Sequence, residues 1–150
     1  MKDSEKKTIL GGMGEKYVAN WMAKEGRVVE QSLFYFDPEK DLMADGQTVE
    51  VKTMVPFVKA LAFGVRESQL RKLREVDRIF FINIPAPSYT CKYDGWLMEV
   101  CPKTFKHTIF VTADGRRMVR IPMEQKAVTP IHKIDDKILK EMIKYSTSGF

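Results

Sequence analysis

Apolar positions recur at helical spacing through residues 12–25, where Val18, Trp21 and Met22 share one side and Gly26 ends the run. Residues 27–36, RVVEQSLFYF, are dense in β-branched and aromatic types and predict a strand. Segments 41–45 and 47–53 flank the dipeptide Asp45-Gly46, a strong hairpin signal. Ser68 is placed to cap a short helix through Val76, with Leu70 and Leu73 on one face. The run RIFFINI at 78–84 suits a buried strand closed by Pro85 and Pro87. Further on, GWLMEV at 95–100 predicts a strand, and residues 105–121 a second hairpin across Asp114-Gly115. Pro122 and Pro130 break up the stretch between that hairpin and the C-terminal segment. A last helix over 135–145 carries Ile138, Leu139, Met142 and Ile143 as its apolar stripe. The first 84 residues thus read helix, three strands, helix, strand, an α/β plan with a mixed sheet. With no repeat or low-complexity linker, residues 1–150 are expected to form one domain.

The first hairpin concentrates charge. If Asp45-Gly46 is a two-residue loop, Ala44 faces Gln47, Met43 faces Thr48, Leu42 faces Val49 and Asp41 faces Glu50. Directly opposed residues share a face, with Cβ atoms about 4.5–5.5 Å apart. Two carboxylates held so close destabilise a sheet unless a cation lies between them. Lys52 projects from the face of Glu50, while Val49 and Val51 point into the core. Hard oxygen ligands in this arrangement suit Mg²⁺. The plainer alternative is a strand with one wet face, on which Asp, Glu and Lys are ordinary and Glu39 pairs with Lys52.

Two residues elsewhere bear on the choice. Glu15 precedes Val18 by three positions and Met22 by seven, which sets a carboxylate along the apolar face of the first helix. Such a carboxylate is costly without a metal or a cationic partner, although a side chain at the edge of the stripe can reach solvent. Gln69 lies one turn before Leu73, placed to reach back toward the sheet.

The ordered set Gly14-Glu15, Asp41, Glu50-Val51-Lys52 and Gln69 resembles the PD-(D/E)xK nuclease superfamily. The run GGMGEKYVANWMAKEGRVV, followed by DLMADGQTVEVK, is especially similar to Holliday-junction resolvases and related small endonucleases. The resemblance covers residues 11–84; Asp41 departs from it in lacking a directly preceding Pro, the nearest being Pro38. It implies a restriction-endonuclease-like mixed sheet flanked by helices, with an added hairpin and helix over 95–150. It further implies that Asp41, Glu50 and the Val51 carbonyl hold Mg²⁺, or Mn²⁺ in its place. Glu15 would hold a second metal or a water on the first. Lys52 would orient the attacking water or stabilise charge on the phosphate. The catalytic set by resemblance is then Glu15, Asp41, Glu50, Lys52 and Gln69. The implied reaction is in-line hydrolysis of a phosphodiester, leaving a 5′-phosphate and a 3′-hydroxyl, by a junction-resolvase-like endonuclease of recombination or repair. Such enzymes work as homodimers on DNA, in phages and mobile elements among other settings. The rivals are a non-catalytic nucleic-acid-binding module on the same fold, a nuclease of RNA or single strands, and an interaction protein whose carboxylates are merely surface.

Charge adds a partner. Residues 1–100 carry 15 Lys and Arg against 15 Asp and Glu; residues 101–150 carry 10 against 5, so the whole net charge of +5 lies in the last third. Basic side chains that neutralise phosphates release counterions and gain affinity. Arg116, Arg117, Arg120 and Lys126, with Lys133 beyond them, are the candidates for phosphate contacts. Arg66 and Arg71, with Lys59 and Lys72, are further ones nearer the first hairpin. Cys91, Cys101, His107 and His132 lack zinc-site spacing, and the histidines are too isolated for a nucleophilic triad. Gly11-Gly12-Met13-Gly14 has neither the strand nor the Lys-Ser/Thr of a P-loop. No stretch approaches the roughly 20 apolar residues of a membrane helix. The charged N-terminus and two cysteines point to the cytoplasm of a prokaryotic or phage-infected cell.

Overall fold

A computed structural model describes residues 1–31, 42–57 and 59–146. Helix α1 (Asp3–Lys24) leads into strand β1 (Val29–Gln31), and the hairpin β2 (Leu42–Ala44) and β3 (Gln47–Met54) comes after it. Strand β4 (Ala62–Arg66), a 3-10 turn (Glu67–Gln69), helix α2 (Leu70–Glu75) and strand β5 (Arg78–Asn83) come next. The chain closes with β6 (Trp96–Val100), β7 (Thr108–Val111), β8 (Arg117–Pro122), β9 (Val128–Lys133) and helix α3 (Asp136–Lys144). The result is a mixed α/β protein with three helices among the described residues.

Six strands form one sheet in the order β1-β2-β3-β5-β6-β9, and β4-β8-β7 form a second. Within the first, β3 and β5 run parallel and the other neighbours antiparallel. A parallel pair needs a crossover, and here β4, the 3-10 turn and α2 provide it. Asp77 sets the register at its start: its carboxylate accepts the Thr48 N–H at 2.9 Å, and its own N–H donates to the Thr48 hydroxyl at 3.0 Å. Glu50 then lies beside Ile79, Val51 beside Phe80 and Lys52 beside Phe81.

Alternation along β3 and β5 divides the core in two. Val49, Val51, Phe80 and Ile82 pack with Leu10, Val18 and Met22 of α1, and Trp21 meets Phe80 edge-on at 5.6 Å. On the opposite face Ile79 and Phe81 pack with Leu73 of α2 and with Phe63, Val119 and Ile121 of the second sheet. Phe63 and Phe81 stack at 4.0 Å. A sheet covered on both faces at its centre explains why RIFFINI is nearly unbroken in apolar character.

Helix α1 comes close to its sheet at Gly14. A methyl group there would stand 1.8 Å from Thr53 Oγ1, so only glycine fits, and the helix runs through three glycines that weaken it intrinsically. Its first turns are exposed and polar, with Asp3 and Glu5 suited to the positive end of the helix dipole. That is why apolar periodicity places the start near residue 12 rather than at Asp3.

Other expectations also need correction. The Asp45-Gly46 turn is a two-residue loop with both φ values positive, 51° and 78°, as a type I′ hairpin demands. Met43 faces Thr48 and Ala44 faces Gln47, as expected. The predicted strand 27–36 is described only as Val29–Gln31, since 32–41 lie outside the described residues. Ser68 caps nothing: the chain winds as a 3-10 turn through Glu67–Gln69, and α2 begins at Leu70 without a side-chain cap. The sequence pattern predicts neither β4 nor β9. Pro130 is tolerated in β9, which ends the sheet order, because Pro130 faces Met98 at a register shift. In α3 only Leu139 and Met142 are buried, while Ile138 and Ile143 remain exposed.

Candidate functional site

Glu50 enters β3 on the face of Ile79 and Phe81, so its carboxylate lies beneath α2 rather than in water. The residue is 5% exposed, so the plainer alternative of a wet strand face does not hold at Glu50. A buried carboxylate requires compensating charge, and two lysines supply it. Lys52 Nζ lies 3.0 Å from Oε1, and Lys72 Nζ 3.1 Å from Oε2. Lys52 also donates to Gln69 Oε1 at 3.1 Å. Gln69 and Lys72 are one helical turn apart at the start of α2, so both point back at β3.

Helix α2 is only six residues long and would not hold its place by propensity. Two anchors position it. Leu73 is fully buried in the second core. Arg74 lies 3.5 Å above the Phe105 ring and donates to the Pro102 carbonyl at 3.1 Å. It also meets His107 Nδ1 at 3.0 Å. Burial pushes the Arg74 guanidinium below its usual range, yet the Phe105 ring face and the Pro102 carbonyl are partners it can accept.

The expected residues fare differently. Glu50, Lys52 and Gln69 come together. Asp41 lies outside the described residues. Val51 stands between Glu50 and Lys52 with its side chain in the other core. Glu15 is half-buried on α1, beside Gly14 at the level of Thr53, on the helix that covers the opposite face of the sheet. The sequence marks Lys72 only as a phosphate contact; its position one turn past Gln69 is the available signal for more.

The basic candidates lie mainly around the second sheet. A cleft of about 360 Å³ is lined by Arg66, Glu67, Ser68, Arg116 and Arg117. Arg117 holds Glu67 through two hydrogen bonds of 3.0 Å, which keeps the Glu67 carboxyl below its ordinary range. Arg116 pairs with Asp114 at 3.0 Å, and Arg71 with Glu75 at 3.0 Å. Arg120 lies over Phe110, 4.5 Å from the ring centroid. Lys126 is exposed. Several of these arginines are therefore already engaged, a fact that counting charges along the chain cannot reveal.

Glu50 offers hard oxygen donors of the kind Mg²⁺ and Mn²⁺ take, but both of its oxygens are already paired with lysine ammonium groups. Among the described residues no three His, Cys, Asp or Glu side chains gather in one place; Asp41, the expected second ligand, is not one of them. No helix among the described residues is long and apolar enough to cross a membrane. No protein-family model, curated protein or solved structure matches the chain significantly.

Proposed function

We propose that the chain is a Mg²⁺- or Mn²⁺-dependent nuclease of restriction-endonuclease-like fold that hydrolyses phosphodiesters in DNA as a structure-specific, junction-resolvase-like endonuclease. The observation that carries the reading is the buried Glu50 carboxylate with Lys52 beside it on the same strand face and Gln69 holding that lysine. The mixed sheet, with its parallel β3–β5 pair and α1 on one face, supports the fold assignment.

In this reading Glu50, the Val51 carbonyl and Asp41 would hold the ion, with Glu15, on the helix over the opposite face of the sheet, left outside the set. When bound, the divalent ion makes water more acidic and neutralises phosphate charge. Lys52, fixed from two sides, holds its ammonium where charge develops on the phosphate. A preorganised donor needs no reorientation during reaction, which is why Gln69 matters. Phosphates flanking the cut strand meet the basic residues around the second sheet, Arg66, Arg116 and Lys126 among them. Two symmetric strands at a junction call for a homodimer.

A second reading has one observation in its favour. Both oxygens of Glu50 are already paired with ammonium groups, as a purely structural ion pair in a nucleic-acid-binding module would be. The two separate cleanly. Labelled single strand, duplex, flap, four-way junction and RNA are incubated with Mn²⁺, Mg²⁺ or EDTA and with wild type, Asp41→Ala or Glu50→Gln. The nuclease cuts with metal, not with EDTA, and loses cutting in both variants. Binding without any cutting, and no rise of Tm with Mn²⁺, sinks the nuclease reading and leaves the module.

A further inference from the structure

A strand at the edge of a sheet invites pairing with another chain unless something blocks it. Most of the edges here are blocked. In the first sheet, β9 carries Pro130, a register shift in its pairing and the exposed Lys133, and β1 carries the exposed Glu30. In the second sheet, β4 is covered by Phe57, which exchanges backbone hydrogen bonds of 2.9 and 3.2 Å with Ala62. Strand β7 is the exception among the described strands. Thr108-Ile109-Phe110-Val111 holds no charge, no proline and no bulge, and Ile109 and Val111 are 43% and 57% exposed. The Thr112 N–H donates to the Arg116 carbonyl at 2.9 Å. Alternation then points the peptide groups of Phe110 at β8 and those of Ile109 and Val111 away from the sheet. Among the described residues, no backbone group outside the β7–β8 ladder bonds to that outer edge.

We propose that β7 is a homodimerisation edge, paired antiparallel with β7 of a second copy about a two-fold axis at Phe110. The strand's own sequence selects this occupant and this register. A two-fold pairing is self-complementary and keeps the faces of the two sheets in line, so odd-numbered residues meet odd-numbered ones. Centred on Phe110, it sets Ile109 opposite Val111 of the second copy and Val111 opposite Ile109. The outward peptide groups of these residues exchange both hydrogen bonds. Their exposed side chains close into one apolar patch on the face that Ile109 shares with Val119. The two Phe110 rings meet across the axis on the other face, where each already lies against Phe57 and Arg120, and aromatic cross-strand pairs are stabilising. At the ends, the exposed Lys106 comes opposite Asp114 of the second copy, which is 61% exposed even with Arg116 on it. A register centred one residue earlier, on Ile109, sets Lys106 against Thr112 and loses both the charge match and the Ile109–Val111 pairs. The pairing joins two three-stranded sheets into one continuous sheet. It supplies an interface for a homodimer, but it rests on the strand edge alone and not on the nuclease reading.

Sedimentation velocity reads the mass at loadings from about 1 μM to about 1 mM, the span of moderate to weak association. Wild type reaches the dimer within that span. Ile109→Lys brings two ammonium groups into the apolar patch, the device by which edge strands stay apart. Val111→Pro removes an outward N–H that β8 does not use. Both variants dimerise at least about tenfold more weakly than wild type, and circular dichroism checks that each has kept its fold. A disulfide then fixes the register, with the exposed Cys101 replaced by Ser and Cys91 buried. Phe110→Cys places two thiols in a directly opposed pair with Cα atoms about 4.5 Å apart, and mild oxidation links the chains. Thr108→Cys, which faces Thr112 of the second copy, does not link. A wild type that stays monomeric at every loading overturns the inference. So does a dimer that persists unweakened in both folded edge variants, because it then uses another surface. Linkage through Thr108→Cys and not through Phe110→Cys overturns the register. None of these results bears on the cleavage assay, which reports on the Glu50 site separately.

Discussion

Glu50 shows how much a single side chain can ask of its surroundings. A carboxylate at 5% exposure is tolerated because two ammonium groups and a low-entropy scaffold meet it, and removing a buried partner costs more than making the pair gains. Glu50→Gln leaves Lys52 and Lys72 facing a neutral amide. Both lysines retain some access to solvent, so the cost is smaller than for a fully enclosed pair. A loss of roughly 1–3 kcal/mol in urea unfolding is expected; an unchanged midpoint would mean that the pairs contribute nothing to the folded state. At this scale the sequence is informative about identity and face. Glu50, Lys52 and Gln69 are legible because alternation along a strand and the turn of a helix are local. The reach of Lys72 to Glu50 is not, since it depends on where α2 docks.

Among elements, the contact of α1 with β3 at Gly14 leaves no room for a side chain. Gly14→Ala drives a methyl group into Thr53 Oγ1 and close to Thr53 Cβ, at 1.8 and 3.1 Å, so helix or strand must move. Helix propensity alone would favour the alanine by up to about 1 kcal/mol. Overpacking works the other way by about 1–3 kcal/mol and is expected to win. Thr53→Ala in the Gly14→Ala background should recover part of the loss in chemical denaturation, and a stabilised single variant would refute the contact. The hairpin, by contrast, is readable from Asp45-Gly46 alone. Its register comes from turn chemistry, and Asp45 ties the turn to the Val28 N–H at 2.9 Å. Strands β4 and β9 escape sequence reading for different reasons. Strand β4 is short and belongs to a second sheet, paired there with distant β8, and β9 contains a proline that only a sheet-end position permits.

For the whole molecule, the distribution of charge would decide how it meets the nucleic acid of the proposed function. The excess over 101–150 suggests a basic face, yet Glu67 in the crossover between β3 and β5 neutralises Arg117. Glu67→Gln frees that arginine; in filter binding, DNA affinity rises and the salt dependence steepens by about one unit of log K per log salt. An unchanged slope would show that Arg117 does not face the nucleic acid. The same pair bears on acid stability. The hydrogen bond from Arg117 holds Glu67 below its ordinary value, and the Thr112 hydroxyl and then Arg116 do so for Asp114. Their contribution is present above the ordinary carboxylate range and is lost as pH falls through their depressed values. Glu67→Gln should therefore flatten the acid limb of a pH-dependent melting series, and a limb as steep as in wild type would count against it. What the amino-acid order determined by itself was local: helix and strand periods, the two-residue turn, the face shared by Glu50 and Lys52, the direction of Gln69. What only the tertiary structure decided was that this face is covered rather than wet, and that a second lysine completes it. It decided also that part of the basic charge is already paired with carboxylates on the protein's own surface. Periodicity arises from backbone geometry within a few residues, whereas burial and ion pairing depend on which distant surfaces the packed sheets and helices bring together.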